Sequence, residues 1–201
     1  ASGDVVIKGL ISACGGKAGT RTGAGSGGAV FITCQTIGGC GKVLADGGNA
    51  SGNEIGGGGG GGRIAIQYQE ITENAAIVCS ANGATASRFN VDANMPLHPR
   101  APMIGTLWFS DTQLLDSYLA SCSGNTEGVN GTVCFGSIAI WECSLTILNS
   151  RLGVGSNQTW QVTDDLTVTG GALYVGELAE LRVDGDLTLK HGASMKVFGG
   201  S

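Results

Sequence analysis

Proline is rare in this chain, at three of 201 residues; aromatic residues make up 5% and charged residues 13%, the latter about half the usual share. So few prolines, with glycines that do not fall at every third place, exclude collagen. No apolar run approaches ~18 residues, so no membrane span is expected. Eleven Lys and Arg face 16 Asp and Glu, a net charge of −5, and that balance speaks against a nucleic-acid partner. There is no CxxC pair, and His98 and His191 are the only histidines, so no metal site is expected. Gly16-Lys17 and Gly41-Lys42 lack the upstream glycine and the following hydroxyl of a phosphate-binding loop. HExxH, GxSxG, EF-hand and calcium-binding nonapeptide patterns are missing too. Neither a catalytic residue nor a cofactor is therefore expected. Without an initiator Met or a signal-peptide pattern, the opening Ala1-Ser2-Gly3-Asp4 reads as a processed form or an excerpt of something longer.

What the chain does hold is glycine, 37 residues, more than twice the usual ~7%. A hydrophobic fraction of 42% and a mean hydropathy of +0.18 argue against simple disorder and are enough to build a core. Seven cysteines in a glycine-rich, charge-poor chain suggest an oxidising compartment. Cys14, Cys34, Cys40, Cys122, Cys134 and Cys143 are candidates for disulfides, with at least two bridges expected and their connectivity open. Three sequons mark Asn49, Asn130 and Asn157 as glycosylation candidates, though so many arise readily by chance at this composition.

The last third of the chain repeats every 21 residues. Ser144-Leu145-Thr146-Ile147, Asp165-Leu166-Thr167-Val168 and Asp186-Leu187-Thr188-Leu189 align, Leu152 and Val154 map onto Leu173 and Val175, and Trp160 and Val162 onto Leu181 and Val183. Each unit holds three short segments that alternate apolar and polar residues. Apolar pairs at i and i+2 mean strand, whereas a helix would pair i with i+3 or i+4. One unit cannot bury its apolar face alone, and stacked neighbours close a core. The pattern therefore predicts an all-β parallel β-helix, or β-solenoid, right-handed, with three strands per rung. Val168, Leu173 and Val183 should be buried, with Thr167, Tyr174 and Arg182 outside.

The first third repeats more loosely. Val5-Val6-Ile7, Val30-Phe31-Ile32 and Ile64-Ala65-Ile66 read as equivalent, as do the segments around Ile11, Val43 and Cys79. This puts Cys79 in a core position and makes it the expected free thiol. The additional length sits in two glycine-rich insertions, Gly15 to Gly28 and Gly47 to Gly62, which leave matched points of consecutive units. They should be ordered, extended and side by side outside the strands, because no side chain keeps their backbones apart. All three prolines fall within 94–102. The expected division is glycine-rich rungs over 1–93, a proline-rich linker over 94–104 and 21-residue rungs over 105–201.

Isolated polar and aromatic residues have plain readings. Asp164-Asp165 is the one adjacent acidic pair; a carboxylate dyad is conceivable, but Asp165 recurs as Asp186 at the start of a unit and reads as a turn. Arg63 opens a strand after seven glycines and points outward, although the backbone there also suits an anion. Trp108, Trp141 and Trp160 are the residues that would stack on a sugar, with Trp160 in register with Leu181 and so assigned to the core. Thr146, Thr167 and Thr188 form a single column, which fits a structural ladder better than an ice-binding array.

The run Gly25-Ser26-Gly27-Gly28-Ala29-Val30-Phe31-Ile32, then Val43 to Asn49, then the glycines to Gly62 and Arg63-Ile64-Ala65-Ile66, resembles a module of large glycine-rich surface proteins of bacteria, with relatives in plants and algae. The resemblance covers about residues 1–110 and implies a parallel β-helix in a secreted or surface-exposed protein, with no catalytic residue to transfer. Cys14, Cys34 and Cys40 depart from it. The function expected is a non-enzymatic structural module of an extracellular filament, surface appendage or adhesin. Its expected partners are copies of itself stacked head to tail, or other solenoid segments, with glycans as further candidates. The alternative is a carbohydrate-active β-helix, either a polysaccharide lyase or hydrolase or a sugar-binding module. A lyase needs clustered Asp, Lys or Arg on one outer face, and this sequence offers no such cluster.

Overall fold

A computed structural model of the chain describes residues 3–19, 22–50, 57–84, 104–115, 129–135, 139–142, 144–148 and 150–198. Its regular structure is almost all β, with one helical turn at 113–115. No helix among the described residues is long and apolar enough to cross a membrane.

In chain order the strands are β1 (Val5–Val6), β2 (Leu10–Ser12), β3 (Ala29–Thr33), β4 (Thr36–Gly38), β5 (Lys42–Leu44), β6 (Arg63–Gln67), β7 (Glu70–Ile71), β8 (Val78–Ser80) and β9 (Thr106–Phe109). They continue with β10 (Asn130–Phe135), β11 (Ala139–Trp141), β12 (Leu145–Leu148), β13 (Arg151–Val154), β14 (Thr159–Val162) and β15 (Leu166–Thr169). The last four are β16 (Ala172–Val175), β17 (Glu180–Val183), β18 (Leu187–Lys190) and β19 (Ser194–Val197). The described pairs are all parallel. They form curled sheets: β1-β4-β7, β11-β14-β17, β12-β15-β18 and one sheet of ten strands. Parallel ladders need crossovers that return each strand in the same direction, and here short turns through the neighbouring sheets provide them.

The 21-residue register holds. Leu145 pairs with Leu166 and Leu166 with Leu187; Trp160 pairs with Leu181 and Leu152 with Leu173. The step from β16 to β19 is one residue longer, pairing Ala172 with Ser194. The additional residue is absorbed at His191-Gly192, where both φ angles are positive.

Inward positions alternate with outward ones, as the period predicts. Val168 and Leu173 are fully buried, Thr167 and Tyr174 half-buried and Arg182 exposed. Val183 is only half-buried, against expectation, because β17 ends its sheet and one side of the residue is uncovered. Phe109, Phe135 and Trp160 run through the core with ring centroids 6.2 and 6.1 Å apart, tying β9, β10 and β14 together.

The ten-stranded sheet divides at β10. Asn130 pairs with Ser80 of β8, while Thr132–Phe135 pair with Thr106–Phe109 of β9. From there two files run side by side, β8-β5-β2 and β9-β6-β3. The strands before and after each glycine tract thus belong to one sheet, and each tract is an excursion out of the middle of that wall. This corrects one sequence equivalence: Val5 pairs with Ile37, whereas Val30 pairs with Ile64. The two segments share an alternation but hold different places in the layer, one before the turn into β2 and the other after the tract. The second equivalence stands, with Ile11, Val43 and Cys79 in one column. The linker expected over 94–104 lies outside the described residues except for Ile104, and strands on both sides of it share the ten-stranded sheet.

Candidate functional site: the stacked glycine tracts

Each tract has an outgoing and a returning limb. Outgoing limbs stack through Ala13 N to Leu44 O at 2.8 Å, Gly15 N to Asp46 O at 2.8 Å and, one layer on, Gly47 N to Asn82 O at 2.8 Å. Returning limbs stack through Ala24 N to Gly57 O and Gly27 N to Gly60 O, both 2.9 Å. A zigzag links the two kinds of limb. Gly25 N donates to Gly16 O, Gly48 N to Gly25 O, Gly59 N to Gly48 O and Ala84 N to Gly59 O, each at 2.9 Å. The described parts of both tracts are therefore a hydrogen-bonded slab of main chain.

Glycine is required inside this slab by close approach. A Cβ on Gly48 would sit on Gly16 O, one on Gly59 on Gly25 O, and one on Gly62 on Gly28 O. These contacts are with backbone, which cannot swing aside as a side chain would. Gly23 and Gly57, at matched places in the two tracts, would meet nothing within 4 Å.

The slab is fastened to the wall by polar groups. Asp46 Oδ1 accepts from Ser80 Oγ and Asn82 N, both at 2.6 Å. Arg151 Nη1 donates to Asn82 Oδ1 at 3.3 Å, and Arg151 N to Asn130 Oδ1 at 3.0 Å. A second network closes the end of β6. There the Tyr68 hydroxyl donates to Asp111 Oδ1 at 2.5 Å and accepts from Leu114 N at 3.2 Å. Burial and the neighbouring carboxylate push the Tyr68 phenol upward, so it acts as a hydrogen-bond donor and not as a base.

The cysteines do not pair as expected. Cys14, Cys34, Cys40, Cys79 and Cys134 are all free thiols, and Cys122 and Cys143 lie outside the described residues. The register explains this by distributing them. Cys79 lies under the core face, Cys134 in an outward column beside Trp108, and Cys34 over Gln67, whose carbonyl accepts its N–H at 3.0 Å. Burial raises the pKa of Cys34, Cys134 and Cys79, that of Cys79 to about 12.

Of the sequon residues, Asn49 and Asn157 are exposed, Asn157 in a turn with φ of 60°. Asn130 is half-buried and its carbonyl oxygen is engaged by the next strand. Asp165 Oδ1 accepts from Asp186 N at 2.8 Å, a turn ladder between successive units. His191 is an exposed turn residue and His98 lies outside the described residues. Arg63 is exposed and its N–H bonds to Gly28 O at 2.9 Å. Trp160 is core, and the threonine column Thr146, Thr167, Thr188 is in register. Among the described residues no three His, Cys, Asp or Glu side chains gather as a metal would require.

Sequence reasoning missed Phe31. It is 71% exposed on the outer face, with Ala65 and then Trp108 above it in one column. Its outward place follows from the alternation of Val30 and Ile32 on either side, a signal available in the sequence. No family model, curated protein or solved structure matches the chain.

Proposed function

We propose that the chain is a non-enzymatic structural module, a right-handed parallel β-helix with three strands per rung and glycine-rich insertions. On this reading it belongs to an extracellular filament, surface appendage or adhesin of the glycine-rich surface type, and stacks end to end with solenoid segments, copies of itself or others. The supporting observation is the lattice of main-chain hydrogen bonds that continues from the parallel ladders into both glycine tracts. Such a lattice is extensible in one direction, and each layer presents the next with the same ladder. Electron microscopy of the purified chain is expected to show rods or fibres, and assays on acidic polysaccharides no turnover; compact particles or turnover would overturn the reading.

A second reading, a sugar-binding module, is favoured by Phe31 and Trp108. They stand two ladder steps apart, about 10 Å, across Ala65. Phe31 is 71% exposed and Trp108 half-buried, and two aromatic rings at that spacing suit separate sugars along one glycan chain. Glycan binding lost in Phe31→Ala would support it.

A further inference from the structure

We propose that Phe31 and Trp108 begin a longer outer track, along which an uncharged, extended β-1,4-linked glycan lies parallel to the stacking direction. This rests on the sugar-binding reading above and names the glycan and its course. The column does not stop at Trp108. Cys134 pairs with Trp108 in the next layer. From there the ladder runs one residue past each strand end: Gly155 N donates to Val133 O at 3.1 Å, Gly176 N to Val154 O at 3.0 Å and Phe198 N to Val175 O at 2.9 Å. Gly155, Gly176 and Phe198 thus follow Cys134 in successive layers. A Cβ on Gly155 would meet Cys134 Sγ, so the cysteine leans over that glycine on the same face. Phe198 is 54% exposed, and its ring stacks on that of Tyr174 with centroids 6.3 Å apart and planes 21° from parallel.

The aromatic rings of this column fall on even steps. From Phe31, Trp108 is two layers along and Phe198 six, about 29 Å away. Ala65, Cys134, Gly155 and Gly176, between the rings, carry a small side chain or none. A β-1,4-linked chain in its two-fold form turns the same ring face to one side at every second sugar, a repeat close to two ladder steps. Its equatorial hydroxyls leave both ring faces as C–H surfaces, which pack on aromatic rings. Those hydroxyls lie at the ring edges, and the neighbouring outward column offers Thr106 and Thr132, paired with each other, to meet them.

Shape and charge select among glycans. An α-1,4-linked chain curls and would leave a straight column after a few sugars. The charged residues of the neighbouring column, Arg63 and Lys196, are exposed and stand five layers apart. Charge therefore does not repeat along the track as the rings do, and most carboxylates of a polyuronate would find no cation. The rings look sideways from the stack. Further layers at either end would lengthen the track without covering it.

The test titrates the intact chain, by calorimetry, with chitin oligomers of three and seven sugars, with maltoheptaose and with a β-1,4-linked mannuronate heptamer. A three-sugar chain reaches from Phe31 to Trp108, and a seven-sugar chain from Phe31 to Phe198. The chitin heptamer should bind roughly tenfold or more tighter than the trimer, and both far tighter than the maltose or mannuronate chains. Phe31→Ala should weaken trimer and heptamer alike. Phe198→Ala should remove the heptamer's advantage and leave the melting temperature unchanged, since the ring is exposed. Equal affinity for trimer and heptamer, a heptamer indifferent to Phe198→Ala, or equally tight maltoheptaose or mannuronate would each overturn the proposal. In those cases trimer binding lost in Phe31→Ala would keep the sugar-binding reading. No binding of any oligomer, or binding indifferent to Phe31→Ala, would remove both.

Discussion

Cys79 shows how a side chain's place in the stack governs its chemistry. It occupies the column of Ile11 and Val43, inside the wall, and its thiol is held protonated by burial, with the pKa raised to about 12 from an ordinary 9.0. Only the thiolate is nucleophilic. Cys14 and Cys40 are exposed. At pH 8 a thiol reagent is expected to modify Cys14 and Cys40 in the native chain and Cys79 only after unfolding, read by peptide mass mapping. Rapid native labelling of Cys79 would show the register to be wrong. Linkage gives the sign for stability: the native state keeps a proton that the unfolded chain releases, so this contribution is full below about pH 9 and is lost as pH rises toward 12. The gap in unfolding midpoint between wild type and Cys79→Ala should narrow over that range. The core place of Cys79 was legible in the equivalence of the segments around Ile11, Val43 and Cys79. The unpaired state of Cys14, Cys34 and Cys40 was not, because cysteine density speaks of the compartment and says nothing about which columns the layers bring together.

The described limbs of the tracts are hydrogen-bonded to one another for the reason that glycine linkers are floppy: nothing projects from the backbone. In isolation that freedom favours coil. Once two limbs lie within main-chain hydrogen-bond reach, the absence of Cβ atoms permits an approach no other residue allows. Gly48→Ala should therefore cost about 1–3 kcal/mol, as overpacking does, while Gly57→Ala should be neutral or stabilise by about 0.4–1 kcal/mol through the unfolded state. Denaturant unfolding of the two variants reads the difference, and equal effects would contradict the slab. Their ordered, side-by-side packing could be anticipated from their matched departure points. That both flanking strands lie in one wall could not, because alternation marks an inward face without saying which sheet the face belongs to. The same blindness produced the mistaken equivalence of Val5 with Val30.

Stacked layers touch only their neighbours, so stability should vary along the stack. In the middle, β6, β9, β10 and β13 are paired on both sides, and Ile64, Leu107, Val133 and Leu152 are 0–1% exposed. At one edge Leu10 and Phe31 are 62% and 71% exposed; at the other Leu187 and Leu189 are each 46% and Val197 66%. Each edge layer has a single neighbour to hold it, and half of its ladder groups already face solvent. Local opening from an edge breaks one set of ladder bonds, whereas opening in the middle breaks two and uncovers the core aromatics Phe109, Phe135 and Trp160. Native-state hydrogen exchange of the isolated chain should thus show a gradient, with the slowest amides in β9, β10 and β13 and the fastest in β1 to β3 and β17 to β19. Uniform protection would mean that the chain opens as one cooperative unit and that layers do not act as neighbours.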